Sequence, residues 1–127
     1  MSEKTIITVD DESKIVELVK DILSINGYNV ITAISGREAI TKAKEHGPDL
    51  IIMDIMMPDL DGAKVAKLLK EDSKTHNIPI LFLSGIVVKE MGKSQADINV
   101  GGNLYRALPK PFGAEELLNE VHKLLEN

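Results

Sequence analysis

The chain has 127 residues, 43% of them hydrophobic, which is enough for one domain with a buried core and excludes a disordered chain. No apolar run approaches the ~20 residues that span a bilayer, and the start has no signal-peptide pattern, so we expect a cytoplasmic protein that binds no membrane. A net charge of −5 argues against direct nucleic-acid binding, and the absence of cysteine excludes disulfides and thiolate metal sites.

Short, continuous apolar runs alternate with helical patterns along the chain. Such runs are typical of parallel strands that are buried on both faces of a sheet. Five strands are predicted on this basis: Thr5–Val9, Tyr28–Ala33, Leu50–Ile55, Ile78–Ser84 and Leu104–Leu108.

The segments between the strands show the apolar spacing of amphipathic helices. Ser35 and Glu38 have the spacing of a capping box that opens the second helix, and Gly27 and Gly47 end the first two helices. We also assign Lys89–Val100 to a helix, although its apolar residues are poorly periodic. The other apolar stripes are Ile15, Leu18, Val19 and Ile22; Val65, Leu68 and Leu69; and Leu117, Leu118, Val121, Leu124 and Leu125.

A strand followed by a helix, repeated five times, predicts an α/β fold over residues 1–127. Short connections between alternating elements favour a parallel sheet with helices on both faces. The expected architecture is a flavodoxin-like, doubly wound, five-stranded parallel sheet with strand order 2-1-3-4-5.

Polar side chains fall where the predicted strands end. Asp10 and Asp11 follow the first strand, Asp54 ends the third, Ser84 ends the fourth, and Lys110 follows the fifth. Ligands of such sheets bind at the carboxyl ends of the strands, where the strand order reverses. We therefore expect the three aspartates to converge at this edge of the sheet.

The residue types at this edge indicate a particular chemistry. Carboxylates at close range cannot all stay ionised without a cation, and a sparse set of oxygen ligands favours Mg²⁺. Ser84 and Lys110 complete a cradle for an anion bonded to Asp54. Phosphoryl transfer depends on this kind of charge stabilisation, and an aspartate can be the covalent acceptor.

The motifs "VDDE", "DIMMPDLDG", "LFLSG" and "LPKPF" resemble, in their order and spacing, the receiver domain of two-component response regulators. The resemblance implies a phosphoacceptor at Asp54 and a cis bond between Lys110 and Pro111. It also implies a set of further site residues: Asp10, Asp11, Asp54 and the backbone carbonyl of Met56 for Mg²⁺, and Ser84 and Lys110 as the switch and phosphate-sensing residues.

The resemblance further implies a partner and an output. The chain would accept its phosphoryl group from a histidine kinase or phosphotransfer protein and signal to an unknown downstream protein through a surface change. It would not be a conventional enzyme, because it would catalyse only its own phosphorylation and dephosphorylation. A homodimer stays open.

Three other functions are compatible with an acidic site on an α/β fold. A haloacid dehalogenase would need an acidic residue where Met56 stands, and a flavin carrier would not place Asp10-Asp11-Glu12 in its phosphate loop. A receiver-like module that binds partners without phosphorylation stays open, because the segment before Lys110 is atypical.

The segment from Ser84 to Lys110 spans 26 residues, longer than the pattern that the chain resembles. The family usually places an aromatic switch residue three positions before the lysine, where Ala107 stands here. Tyr105 faces the same side of the strand but is displaced by ~6–7 Å. Our hypothesis is that Tyr105 is not the usual rotamer switch and that Lys89–Val100 carries the response.

Overall fold

The computed structural model describes residues 3–57, 59–84 and 96–126, apart from the side chains of Ala96 and Asp97. Strands and helices alternate until β4, and a hairpin then precedes the last helix. The described elements are β1 (Thr5–Val9), α1 (Ser13–Ile25), β2 (Asn29–Ala33), α2 (Gly36–His46), β3 (Leu50–Asp54), α3 (Gly62–Glu71), β4 (Ile80–Ser84), β5 (Ala96–Val100), β6 (Asn103–Pro109) and α4 (Ala114–Leu125).

The strands form one sheet in the order β2-β1-β3-β4-β6-β5. All neighbours pair in parallel except β5 and β6, which are antiparallel. The predicted α/β class and the order of the five parallel strands are confirmed, with β6 in the place of the predicted fifth strand. The prediction of a sheet with five strands was wrong by one, because β5 adds an antiparallel edge.

The predicted helix over Lys89–Val100 is wrong for its last part, since residues 96–100 form β5. Residues 89–95 lie outside the described residues. Gly101 and Gly102, at φ 58° and 89°, form the two-residue turn between β5 and β6. Two successive positive φ values define the hairpin turn that matches strand twist, and glycine adopts them without strain.

Helices cover both faces of the sheet. On one face, α2 and α3 pack against a cluster that includes Ile7, Ile51 and Phe82. On the other face, α1 and α4 pack against a cluster that includes Ile6 and Leu81. The inner strands are therefore buried on both sides, which explains why β3 and β4 read as unbroken apolar runs.

The helix ends follow the local sequence signals. Ser35 caps α2 by accepting a hydrogen bond from the Glu38 N–H at 3.1 Å, and Asp61 caps α3 by accepting from Lys64 at 2.9 Å. Gly47 ends α2 at φ 53°. These caps satisfy N–H groups that a helix start leaves unpaired, so the sequence could place them.

None of the helices in the described parts of the chain is long and apolar enough to cross a membrane.

Candidate functional site

A lysine bridges two buried aspartates at the carboxyl ends of the strands. The Nζ atom of Lys110 lies 3.0 Å from Asp54 Oδ2 and 3.3 Å from Asp10 Oδ2. Asp10 follows β1, Asp54 ends β3 and Lys110 follows β6. The sheet thus brings together residues that are up to 100 positions apart in the chain.

Burial makes the charges in this bridge interact strongly. Asp10 is 1% exposed and Asp54 6%. Burial raises the pKa of Asp10, and the nearby Asp54 charge raises it further, against the lowering effect of the Glu12 N–H and Lys110. Burial lowers the pKa of Lys110, but its hydrogen bond to Asp54 and both aspartate charges outweigh this effect and raise it.

The loop after β3 holds the Asp54 carboxylate in place. The Met56 N–H donates to Asp54 Oδ1 at 3.1 Å, while Met56 as a whole is 63% exposed. Gly62, which begins α3, donates its N–H to the Ile55 carbonyl at 2.7 Å. A Cβ atom at Gly62 would lie 2.7 Å from the Asp54 carbonyl oxygen, so only glycine lets the helix start this close to the strand.

Three carboxylates could hold a metal ion in the described residues. Oxygen atoms of Asp10, Glu12 and Asp54 lie within 4.8 Å of one another. Carboxylate oxygens without histidine or cysteine suit a hard ion such as Mg²⁺. Asp11, which the resemblance names as a ligand, is exposed and lies outside this cluster. Sequence reasoning missed Glu12, although it belongs to the same "VDDE" motif.

Ser84 and the cis peptide bond lie next to the lysine. Ser84 is fully buried at the end of β4, and its carbonyl oxygen accepts a hydrogen bond from the Lys110 N–H at 2.9 Å. The Lys110–Pro111 bond is cis, as the resemblance implied. The main-chain hydrogen bond between Lys110 and Ser84 therefore fixes the backbone of Lys110 at the end of β4.

Asp59 connects the loop after β3 to the start of α2, which the sequence did not reveal. Its carboxylate accepts hydrogen bonds from the Gly36 and Arg37 N–H groups, at 3.1 and 3.2 Å. Burial acts to raise the pKa of Asp59, but these N–H donors outweigh it, and the pKa lies below its usual value. Asp59 and Gly36 are 23 positions apart in the chain, so no local spacing in the sequence indicates this cap.

Tyr105 lies away from the acidic site. Its ring packs edge-on against Phe82 with 5.6 Å between centroids. Since Phe82 pairs with Ala107, Tyr105 lies level with Ile80, about 13 Å along the sheet from Ser84 by strand rise. The displacement expected from the sequence is therefore present, while the role of Tyr105 in switching stays a prediction.

Comparison with known families places the chain. Residues 6–122 match the family model described as the response regulator receiver domain. The chain belongs to this family. Receiver domains are signalling modules of two-component systems rather than conventional enzymes, and they bind Mg²⁺ at an acidic pocket.

Curated relatives include larger regulators. The receiver domain is 38% identical over 120 residues to the response regulator MprA of Mycolicibacterium vanbaalenii, covering 94% of this chain and 49% of that protein. It is 38% identical over 122 residues to the alkaline phosphatase synthesis transcriptional regulatory protein PhoP of Bacillus subtilis, covering 96% and 48%. The chain therefore spans about half the length of these two relatives.

Solved structures share the whole fold. The chemotaxis response regulator CheY4 of Vibrio cholerae superposes with a TM-score of 0.82 at 34% identity, covering 98% of this chain and all of that one. A putative response regulator from Chloroflexus aurantiacus superposes with a TM-score of 0.84 at 30% identity, covering 99% and 100%.

Proposed function

We propose that this receiver domain accepts a phosphoryl group on Asp54 from the phosphohistidine of a histidine kinase or phosphotransfer protein. The observation that carries the proposal is the Lys110 ammonium group, 3.0 Å from Asp54 and 3.3 Å from the buried Asp10. A fixed cation beside a carboxylate at this edge of the sheet is suited to an acceptor whose product carries more negative charge.

The transfer exchanges one bond for another. An oxygen of Asp54 attacks the phosphorus atom, an O–P bond forms, and the N–P bond of the donor breaks. The departing imidazole keeps the electron pair of that bond and takes up a proton. Hydrolysis later returns the carboxylate, because a water oxygen bonds to phosphorus as the acyl-phosphate O–P bond breaks.

Charge compensation decides whether this step is feasible. Mg²⁺, when bound, supplies positive charge that stabilises the transferring phosphoryl group. Asp10, Asp54 and the Met56 carbonyl would hold it, with a third carboxylate from Asp11, as the resemblance implies, or from Glu12, as the carboxylate cluster supports.

The residues around Asp54 then have separate tasks in our proposal. The Met56 N–H orients one carboxylate oxygen, and Lys110 moves its contact from the carboxylate to the new phosphoryl oxygens. The buried Ser84 hydroxyl lies at the end of the neighbouring strand and would report the phosphoryl group to the surface. The response is a shift between two surface conformations.

Mass spectrometry after treatment with acetyl phosphate tests the proposal directly. We expect a phosphoryl adduct in the parent chain with Mg²⁺, much less adduct with EDTA, and none in Asp54→Asn. Asp72→Asn, which changes a half-buried aspartate at the end of α3 that pairs with Lys44, is the control and should be labelled normally. Undiminished labelling of Asp54→Asn contradicts the assignment, and a parent chain that is never labelled favours a module that works without phosphorylation.

A further inference from the structure

Among the described strands, the hairpin of β5 and β6 forms one end of the sheet. Within the described parts of the chain, β5 pairs with β6 and lies at the edge of the sheet. An edge strand presents main-chain N–H and C=O groups that can pair with another strand. Which residues of β5 present them follows from the register.

The orientation of β6 is set by its bond to β4. The Lys110 N–H donates to the Ser84 carbonyl. The main-chain N–H and C=O groups of the even-numbered residues of β6 are therefore directed towards β4, and those of the odd-numbered residues towards β5. Tyr105 pairs with Ile98, and Asn103 pairs with Val100. The main-chain groups of Ile98 and Val100 are therefore used inside the hairpin.

The groups of the alternate residues point the other way. In an antiparallel pair, each residue directs its N–H and C=O to the same side, and sides alternate along the strand. The N–H and C=O groups of Asp97 and Asn99 thus face outwards from β5. An incoming antiparallel strand would exchange hydrogen bonds with these two residues.

The sequence of β5 is complementary to itself in one register. We propose that the outer edge of β5, which no described strand occupies, pairs antiparallel with β5 of a second copy of this chain, around a two-fold axis at Ile98. Asp97 of each copy then lies opposite Asn99 of the other and exchanges main-chain hydrogen bonds with it. The two Ile98 residues form the closely spaced pair on the axis, which suits an apolar side chain.

Pairing two copies of β5 with the axis shifted by one residue is less favourable. An axis at Asp97 sets the two aspartates opposite each other, and like charges in that arrangement destabilise a sheet. An axis at Asn99 sets Asp97 opposite Gly101, whose φ of 58° belongs to the turn and does not continue a strand. The register centred on Ile98 avoids both problems.

The second copy also extends an existing apolar face. Ile98 and Val100 are half-buried and pack against the cluster under α2 and α3. Pairing at Ile98 would continue this face across the axis, so the main-chain bonds are joined by apolar burial. Main-chain pairing at a sheet edge is an established way for proteins to bind, and a two-fold axis makes the contact closed.

The test is the mass of the chain in solution, measured by analytical ultracentrifugation over a range of concentrations. We expect the apparent mass to rise from 13.9 kDa towards twice this value. Asn99→Pro removes an outward N–H and should stay monomeric, since an edge strand tolerates proline where the N–H faces outwards. Asn99→Ala, the matched control, loses the same side-chain contact with the Gly102 N–H but keeps the main-chain donor, and should still dimerise.

Amide exchange supplies an independent readout. The amides of Asp97 and Asn99 should exchange more slowly at high than at low concentration, whereas Ile98 and Val100 should be protected throughout. If proline disturbs the hairpin, the amides of Ile98 and Val100 lose protection. The concentration dependence of the mass of the parent chain is then the test of the proposal. A parent chain that is monomeric at every concentration, or a dimer that Asn99→Pro leaves intact with the hairpin protected, overturns the proposal. Asp54→Asn should dimerise like the parent, so this test is independent of phosphorylation.

Discussion

The ammonium group of Lys110 compensates two carboxylates at once, at 3.0 Å from Asp54 and 3.3 Å from Asp10. Lys110→Met should therefore destabilise the metal-free fold, by about 1–3 kcal/mol, because it leaves buried charge uncompensated. Urea unfolding in EDTA measures this effect. Lys123→Met is the control, since Lys123 is largely exposed and 3.8 Å from its partner, and it should cost less than about 1 kcal/mol. Equal costs in the two variants would contradict the special position of Lys110.

Lys110→Met should also separate phosphorylation from its consequences. The Asp54 carboxylate stays in place through the Met56 N–H, so labelling should persist at a reduced level. Amide NMR shifts far from the site should be lost, because the contact between the lysine and the phosphoryl group is missing. Normal long-range shifts in this variant would refute the sensing role of Lys110.

Mg²⁺ should stabilise the native state by linkage. At ten times its dissociation constant, an ion that binds only the folded chain adds about 1.4 kcal/mol, which a thermal melt detects. We expect Asp11→Asn to remove most of this gain and Glu12→Gln to remove less, in line with the resemblance. The opposite order would assign the third ligand to Glu12, as the carboxylate cluster suggests. A melting temperature of the parent chain that does not change in millimolar Mg²⁺ would argue against the site.

The bond between Asp59 and the start of α2 should make stability depend on pH. Because the pKa of Asp59 is lowered in the folded chain, its contribution is present above the ordinary value of 3.8 and is lost as pH falls through the lower folded value. Asp59→Asn should be less stable than the parent at neutral pH and approach it in acid. Urea midpoints from pH 7 to pH 3 give this comparison. A constant difference over the whole range would show that the charge of Asp59 does not contribute.

A bidentate ion pair joins β6 to the last helix. Arg106 contacts both oxygens of Glu120, at 3.0 and 3.1 Å, and Glu120 is 3% exposed. Arg106→Leu should lower the free energy of unfolding by about 1–3 kcal/mol. Among the described contacts, the buried Glu120 carboxylate would then keep Lys123 as its charged partner, at 3.8 Å. The double variant Arg106→Leu/Glu120→Leu should recover part of the loss in urea unfolding. A double variant with the full sum of both losses would exclude coupling.

Tyr105 should pack rather than switch. Its ring contacts Phe82 and lies far from Ser84 along the strand direction. In a chain loaded with a beryllofluoride mimic, Tyr105→Ala should lower stability but keep the mimic-dependent amide shifts of residues 96–100. Tyr105→Phe, which keeps the ring, controls for packing. Loss of those shifts in a folded Tyr105→Ala would make Tyr105 the switch after all.

The local signals in the sequence determined most of the fold. Thr5–Val9 was predicted as a strand with its observed bounds, and α2 begins after Ser35 and ends before Gly47, as the sequence predicted. These features depend on residues within one or two turns of each other. The order of the acidic and basic residues at the strand ends was also readable, because each follows an apolar run directly.

Only the tertiary structure decided which residues meet. The resemblance pointed to Asp11 as a metal ligand, yet the structure groups Glu12 with Asp10 and Asp54. Glu12 is the N-cap residue of α1, so the start of this helix sets the direction of its side chain. Asp59 caps a helix 23 positions earlier, which no local spacing predicts.

The segment assigned to a helix shows the same limit. Residues 96–100 have no strong helical period, and the two glycines that follow allow a tight hairpin, so pairing with β6 overrode the weak local preference. A strand is stabilised by a neighbour that lies elsewhere in the chain, whereas a helix makes its hydrogen bonds within itself. For this reason the sequence by itself determined α1 to α4 and the buried strands, and the tertiary structure decided the strand at the sheet edge and the contacts of the site.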